Sequence, residues 1–197
     1  EGVVFYKGVQ VKKPSFPVDD EELEVRKENI FVGRGAHKIE GALEFFGVDP
    51  TDMIVADVGA CTGGFTDFIL KNGAKKVYAI DVGHGQLAAS LLEDLRVVNM
   101  EGINIRYELE LNEKVDLAVV DLSYISLKLT LDTIFSLVKN DGKIIALVKP
   151  QFEVGKENIG KGGIVKDEKA KLSSLESLYD WCQEKNYAIK NATVSPI

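Results

Sequence analysis

The sequence predicts a mostly parallel, doubly wound α/β sheet with a short β arm ahead of it. Three observations carry that expectation. Strand-like and helix-like stretches alternate from about Asn29 onward, a glycine-rich turn follows the first of those strands, and acidic residues close two of the later ones.

Residues 1–28 read differently from the remainder. Val3-Val4-Phe5-Tyr6, a Lys7-Gly8 turn and Val9-Gln10-Val11 form a hairpin pattern, broken by Lys12-Lys13-Pro14 and Pro17. An acidic turn, Asp19 to Glu22, then precedes Leu23-Glu24-Val25. Twenty-eight residues cannot bury a core alone, so this segment is expected to be an arm or the end of a small domain.

From residue 29 the elements follow in order. Ile39, Ala42, Leu43 and Phe46 mark a helical stripe. Met53 to Val58 is a buried-strand run, followed by the glycine turn and a helix holding Phe65, Phe68 and Ile69. Lys76 to Asp81 is a second strand, Leu87 to Leu92 a helix, Arg96 to Asn99 a third strand and Val115 to Asp121 a fourth. Leu127, Leu131, Ile134, Phe135 and Val138 stripe the next helix, and Lys143 to Lys149 makes a fifth strand. Leu172, Leu175, Leu178, Tyr179 and Cys182 mark a further helix, and Tyr187 to Val194 a further strand.

Composition excludes several classes. The 197 residues are 45% hydrophobic and 28% charged, with 24 basic and 31 acidic side chains giving a net charge of −7. No apolar run approaches the roughly 20 residues of a membrane span, and no signal peptide opens the chain. Cys61 and Cys182 make neither a disulfide framework nor a metal cluster, so no metal is expected and a cytoplasmic location is. Net acidity argues against nucleic-acid binding by bulk charge, leaving room for a local groove. The run of lysines from Lys149 to Lys171, interrupted by carboxylates, reads either as such a groove or as a solvated face.

The strongest local signal is Asp57-Val58-Gly59-Ala60-Cys61-Thr62-Gly63-Gly64-Phe65, between strand and helix. Asp81 ends the next strand 22 residues after Gly59, where a carboxylate can accept both hydroxyls of an adenosine ribose. The pattern departs from G-x-G-x-x-G, with Cys61 where a middle glycine would stand. Asp57 would repel a diphosphate and suit a ligand ammonium. Both features favour S-adenosylmethionine over NAD.

Asp121 and Lys149 each close an apolar strand and should emerge beside the same crevice. An ammonium there needs a partner, and Asp121 can supply it, as a salt bridge or as part of a catalytic group. Lys38, in Arg34-Gly35-Ala36-His37-Lys38, can reach the same edge. Neighbouring ammonium groups and partial burial lower a lysine pKa from about 10.4 towards that of a useful base for a sugar hydroxyl. His37 is the rival base; it and His84 read more simply as structural.

Five ordered stretches closely resemble the TlyA-type (hemolysin A-like) proteins of the FtsJ-like RNA 2′-O-methyltransferases. They are Val32 to Lys38, Asp57 to Asp67, Ala79 to Leu87, Asp121 to Leu127 and Leu147 to Glu153, and Gly160 to Val165 matches as well. The resemblance implies a Rossmann-like class I methyltransferase domain over 29–197 and an N-terminal RNA-binding remnant over 1–28. It implies S-adenosylmethionine as cofactor, ribosomal RNA or a ribosomal subunit as partner, and methylation of cytidine on its ribose. Lys38, Asp121 and Lys149 then fall on three of the family's four catalytic positions. The cofactor set becomes Asp57, Gly59, Ala60, Gly63, Gly64, Phe65, Asp81, Val82, Asn104 and Asp121, with Asn104 alternatively a turn cap. The resemblance leaves the family's fourth catalytic residue, a glutamate on a later strand, unassigned before Ile197, and implies that residues 1–28 correspond to only the final part of the family's N-terminal domain. Retained instead as alternatives are an RNA-binding protein without activity, a nicotinamide-cofactor oxidoreductase and a membrane-lytic protein.

Overall fold

The computed structural model describes residues 4–11, 13, 15–19, 23–25 and 31–197. Val3, Lys12, Pro14, most of the acidic turn (Asp20 to Glu22) and the boundary at Asn29 lie outside the described residues. The chain divides into two compact units, Glu1–Phe31 and Val32–Ile197.

In the first unit, β1 (Val4–Tyr6) pairs antiparallel with β2 (Val9–Gln10) and with β3 (Leu23–Val25). The two-residue turn has both Lys7 (φ 49°) and Gly8 (φ 78°) left-handed, the twist a tight hairpin requires. The ring of Phe16 meets that of Tyr6 edge-on, and the Tyr6 hydroxyl donates to Asp19 at 3.2 Å.

The second unit is a five-stranded parallel sheet in the order β6-β5-β4-β7-β8. Its strands are β4 (Ile54–Val58), β5 (Lys76–Ile80), β6 (Val97–Met100), β7 (Val115–Val120) and β8 (Val138–Ala146). Val55, Val58, Val77, Val115, Leu117, Val119 and Val120 are fully buried, as a parallel sheet covered on both faces demands. Each such side chain contributes roughly 1.5–3 kcal/mol by leaving water. Helix α1 (Gly35–Phe46) buries Ala36, Ile39 and Leu43, packs on α2 (Gly64–Lys71) and ends on left-handed Gly47. After the one-turn α3 (Ala89–Leu92), α4 (Leu131–Leu137) buries Leu131, Ile134 and Leu137 in the cluster that takes Leu178 and Cys182 of α6 (Glu168–Glu184). Helix α5 (Pro150–Glu153) is a single turn and buries nothing.

The chain runs β4 to β5 to β6 toward one edge, then returns to the far side of β4 with β7 and β8. That reversal opens a crevice at the carboxyl ends of β4 and β7, where such sheets bind ligands.

Five expectations need correction. Val138, expected at the end of a helical stripe, is extended and opens β8, which therefore begins five residues before Lys143. Leu87 is buried but not helical, because Ala88 is extended and its N–H donates to Thr62 O, so the helix starts at Ala89. The fifth strand ends at Ala146, and Lys149 stands three residues beyond it. Pro150 forces its predecessor into an extended conformation and opens α5. The buried stripe of α6 is Ser174, Leu178 and Cys182, while Leu172, Leu175 and Tyr179 face water. Residues 187–194 form no strand. Tyr187 instead stacks on Phe135 at 3.6 Å and donates to Asp132 at 2.6 Å, and residues 188–193 are exposed with no ladder partner.

Candidate active site

The glycine turn joins β4 to α2 and forms one wall of the crevice. Gly59 (φ 89°) and Gly63 (φ 96°) adopt conformations that L side chains rarely take. A Cβ on Gly59 would lie 2.6 Å from the Asp121 carbonyl oxygen, and one on Gly63 would lie 2.2 Å from Leu91 Cδ1. Gly64 lets α2 approach α1, where a Cβ would crowd the Gly33 carbonyl and Ala36 N at 3.4 Å. The Gly59 and Ala60 N–H groups both donate to Ile80 O, so the turn is held by β5.

Asp57 lies beneath this turn, 1% exposed. Its Oδ2 accepts from Thr66 N at 2.9 Å and Thr66 Oγ1 at 2.6 Å, whereas its buried Oδ1 finds no hydrogen-bond donor among the described residues. Burial pushes its carboxyl up to about 7, against the Thr66 hydrogen bonds and with help from Asp121 and Asp81. Asp81 lies at the crevice mouth, its oxygens accepting from Cys61 N at 2.8 Å and Gly83 N at 2.7 Å. Each carboxylate oxygen retains capacity for a further donor. Val82 beside it is 64% exposed.

Two members of the sequence-derived set differ in detail. The Phe65 ring is buried between α1 and α2, against Gly35, so only its backbone is available to a ligand. Asn104 Oδ1 accepts from Arg106 N at 3.1 Å, so this side chain caps a turn. Its loop still borders the crevice, because Ile103 N donates to Asp81 O.

The opposite wall brings together all three charges expected there. Lys38 Nζ donates to Asp121 Oδ2 at 2.9 Å. Lys149 Nζ lies 2.6 Å from Asp121 Oδ1, a charge contact rather than a directed hydrogen bond, and donates to Ser123 Oγ at 2.8 Å. The three side chains are 27%, 16% and 18% exposed, sheltered enough to interact yet open to a ligand. Burial raises the Asp121 carboxyl, but the close contacts and charges of Lys149 and Lys38 outweigh it, so its pKa lies below the ordinary carboxylate value. His37 is turned outward, 3.3 Å from Glu40. The His84 ring covers Gly102.

Three residues that pattern reading missed complete this wall. Ser123 receives Lys149, exposed Tyr124 (φ 65°) sets its ring 5.3 Å from Phe152, and Glu153 accepts from Ser126 Oγ and Leu127 N. Their only sequence signal is membership of Asp121 to Leu127 and Leu147 to Glu153.

Known proteins resemble this chain along its whole length. The family model for FtsJ-like methyltransferase matches residues 31–197. The 16S/23S rRNA (cytidine-2′-O)-methyltransferase TlyA of Mycobacterium tuberculosis is 40% identical over 201 aligned residues, covering 100% of this chain and 75% of its own. Hemolysin A of Brachyspira hyodysenteriae is 38% identical, covering 100% and 83%. A solved Streptococcus thermophilus protein with hemolysin in its name superposes with a TM-score of 0.83 at 40% identity, covering 100% of this chain and 74% of that one. Among the described residues no helix is long and apolar enough to cross a membrane.

Proposed function

The chain belongs to the FtsJ-like methyltransferase family, with S-adenosylmethionine as its methyl donor, and we propose that it methylates the ribose 2′-hydroxyl of cytidine in ribosomal RNA. The single observation that carries the proposal is the Lys38–Asp121–Lys149 cluster facing a bare-backbone glycine turn across one crevice.

The crevice suits the donor chemically. Its glycine turn presents backbone with no side chain in the way, and Asp81 offers a carboxylate for ribose hydroxyls. Buried Asp57, with one oxygen unpartnered, places acceptor character beneath the turn and disfavours a diphosphate. When bound, the donor supplies an electrophilic methyl group on a sulfonium sulfur.

The residues of this chain supply the rest. Asp121 is anchored by its own N–H, which donates to Val58 O at 3.0 Å, so its carboxylate cannot drift. Lys38 occupies one oxygen of that carboxylate and Lys149 lies against the other, so the two lysines share a single carboxylate and Lys149 is the one cast as base. Nζ of Lys149 takes the proton of the ribose hydroxyl as its oxygen becomes the nucleophile. Ser123 and Asp121 hold that nitrogen in place. The three-stranded unit around Val4 to Val25 is assigned to holding RNA near its target, as the family resemblance suggests.

The test is transfer of labelled methyl from S-adenosylmethionine to ribosomal RNA. The label should be recovered in cytidine and resist alkali, because a 2′-O-methyl group removes the hydroxyl that attacks the neighbouring phosphate. Alkali-labile product or label on the base would overturn the proposal. RNA binding without any incorporated label would favour the non-catalytic alternative.

A further inference from the structure

We infer that Glu153 is a positioning residue for methyl transfer, clasping the loop that leaves Asp121 to the turn that carries Lys149. The inference rests on the methyl-transfer reading above.

The sheet holds the chain only as far as Leu147, whose N–H donates to Val120 O, and Val148, which packs on the core. Lys149 lies beyond β8, at the cap of the one-turn helix α5. Four helical residues have no stability of their own, and this helix buries no side chain. Something else must fix the turn.

Glu153, its last residue, uses both carboxylate oxygens on the opposite loop. Oε2 accepts from Ser126 Oγ at 2.6 Å, and Oε1 accepts from the Leu127 N–H at 2.8 Å. Ser126 Oγ in turn accepts from Lys128 N, so the same hydroxyl caps the short helical turn Leu127–Leu129. The loop from Asp121 to Leu127 includes Tyr124 at φ 65°, a conformation costly for a large side chain unless its surroundings impose it.

The two segments are thus joined at both ends. Lys149 meets Asp121 and Ser123 at one end, Glu153 meets Ser126 and Leu127 at the other, and Tyr124 lies against Phe152 between them. Opening the Glu153 end lets α5 pivot and carries Lys149 away from the geometry that Asp121 defines. That pivot shifts α5 against α6 but moves no side chain that α5 itself buries, because it buries none. The effect should therefore fall on rate and leave folding unchanged, and a displacement near 1 Å is enough to cost about 10²-fold in rate.

Two variants separate positioning from mere structure. Glu153→Ala loses both hydrogen bonds. Glu153→Gln can keep both, its amide oxygen accepting from Leu127 N–H and its NH2 donating to Ser126 Oγ. In the methyl-transfer assay, Glu153→Ala should lower kcat by roughly 30–100-fold with donor KM changed less than about threefold. Glu153→Gln should restore kcat to within about threefold of the parent chain. Amide hydrogen exchange of the 122–127 segment should quicken in the alanine variant and return to the parent rate in the glutamine variant.

Full kcat in Glu153→Ala, or exchange unaltered by it, would overturn the inference. So would a glutamine variant as slow as the alanine one, or a loss explained by a lowered melting temperature. A parent chain that transfers no methyl group would defeat the functional reading instead, and the exchange result alone would then decide whether the clasp exists.

Discussion

The two walls of the crevice are made of different material. On the β4–β5 side, the ligand-facing surface is backbone: Gly59 and Ala60 hang from β5, Gly63 hangs from Ala60, and Asp81 is tied to the N–H groups of Cys61 and Gly83. On the β7–β8 side it is side chains, with Lys38 and Lys149 converging on Asp121 from separate elements. The first wall follows from strand geometry and from missing Cβ atoms. The second depends on loops that must be held in place. Binding and chemistry are therefore separable here, and substitutions should divide them cleanly.

The largest effect is expected on the side-chain wall. Lys149→Ala should lower methyl transfer by 10³-fold or more, on the order of 4 kcal/mol or more of barrier, while donor affinity by titration stays within about threefold. A variant that loses donor binding equally would dissolve the distinction between the walls.

Gly59→Ala tests the partition from the other side. The new methyl group meets Asp121 O in a left-handed backbone, and we expect a stability loss of roughly 2–4 kcal/mol in chemical denaturation. Donor affinity should fall by more than about tenfold. Because the obstructed atom belongs to Asp121, transfer should fall too, which marks Gly59 as the seam between the two walls.

Asp57→Asn gives a subtler readout. Asp57 titrates near 7 in the folded chain, above the roughly 3.9 of an unfolded aspartate. The folded state therefore holds an extra proton between about pH 4 and 7, and stability from this group falls as pH rises through that window. The asparagine variant should show a flatter stability profile from pH 4 to 7 in denaturant titrations. An unchanged slope would mean that Asp57 is ionised throughout.

The smallest effect is predicted for the rival base. His37 faces Glu40 on the outer side of α1, and His37→Ala should leave methyl transfer within about twofold. A loss exceeding tenfold would bring that histidine into the side-chain wall.

Legibility in the sequence follows the same division. The mostly parallel sheet, the glycine turn and Asp81 were readable because buried strands and left-handed turns restrict residue type directly. Lys38 was readable because the Val32 to Lys38 stretch carries a family pattern; no periodicity would place it 83 residues from its partner. Glu153 was opaque, since a carboxylate in a polar loop carries no mark of the amide it will accept from. The α6 stripe was misread because leucines at helical spacing face water there, while Ser174 and Cys182 turn inward. The strand expected over 187–194 failed because Tyr187 finds an aromatic stack on Phe135 where the pattern called for a ladder partner.

Asp121 is seated in the central ladder, whereas its lysines come from α1 and from the turn after β8. Warming should loosen those outer attachments before the ladder yields. Heat inactivation should accordingly set in several degrees below the calorimetric transition, and return on cooling as long as the sheet has not melted.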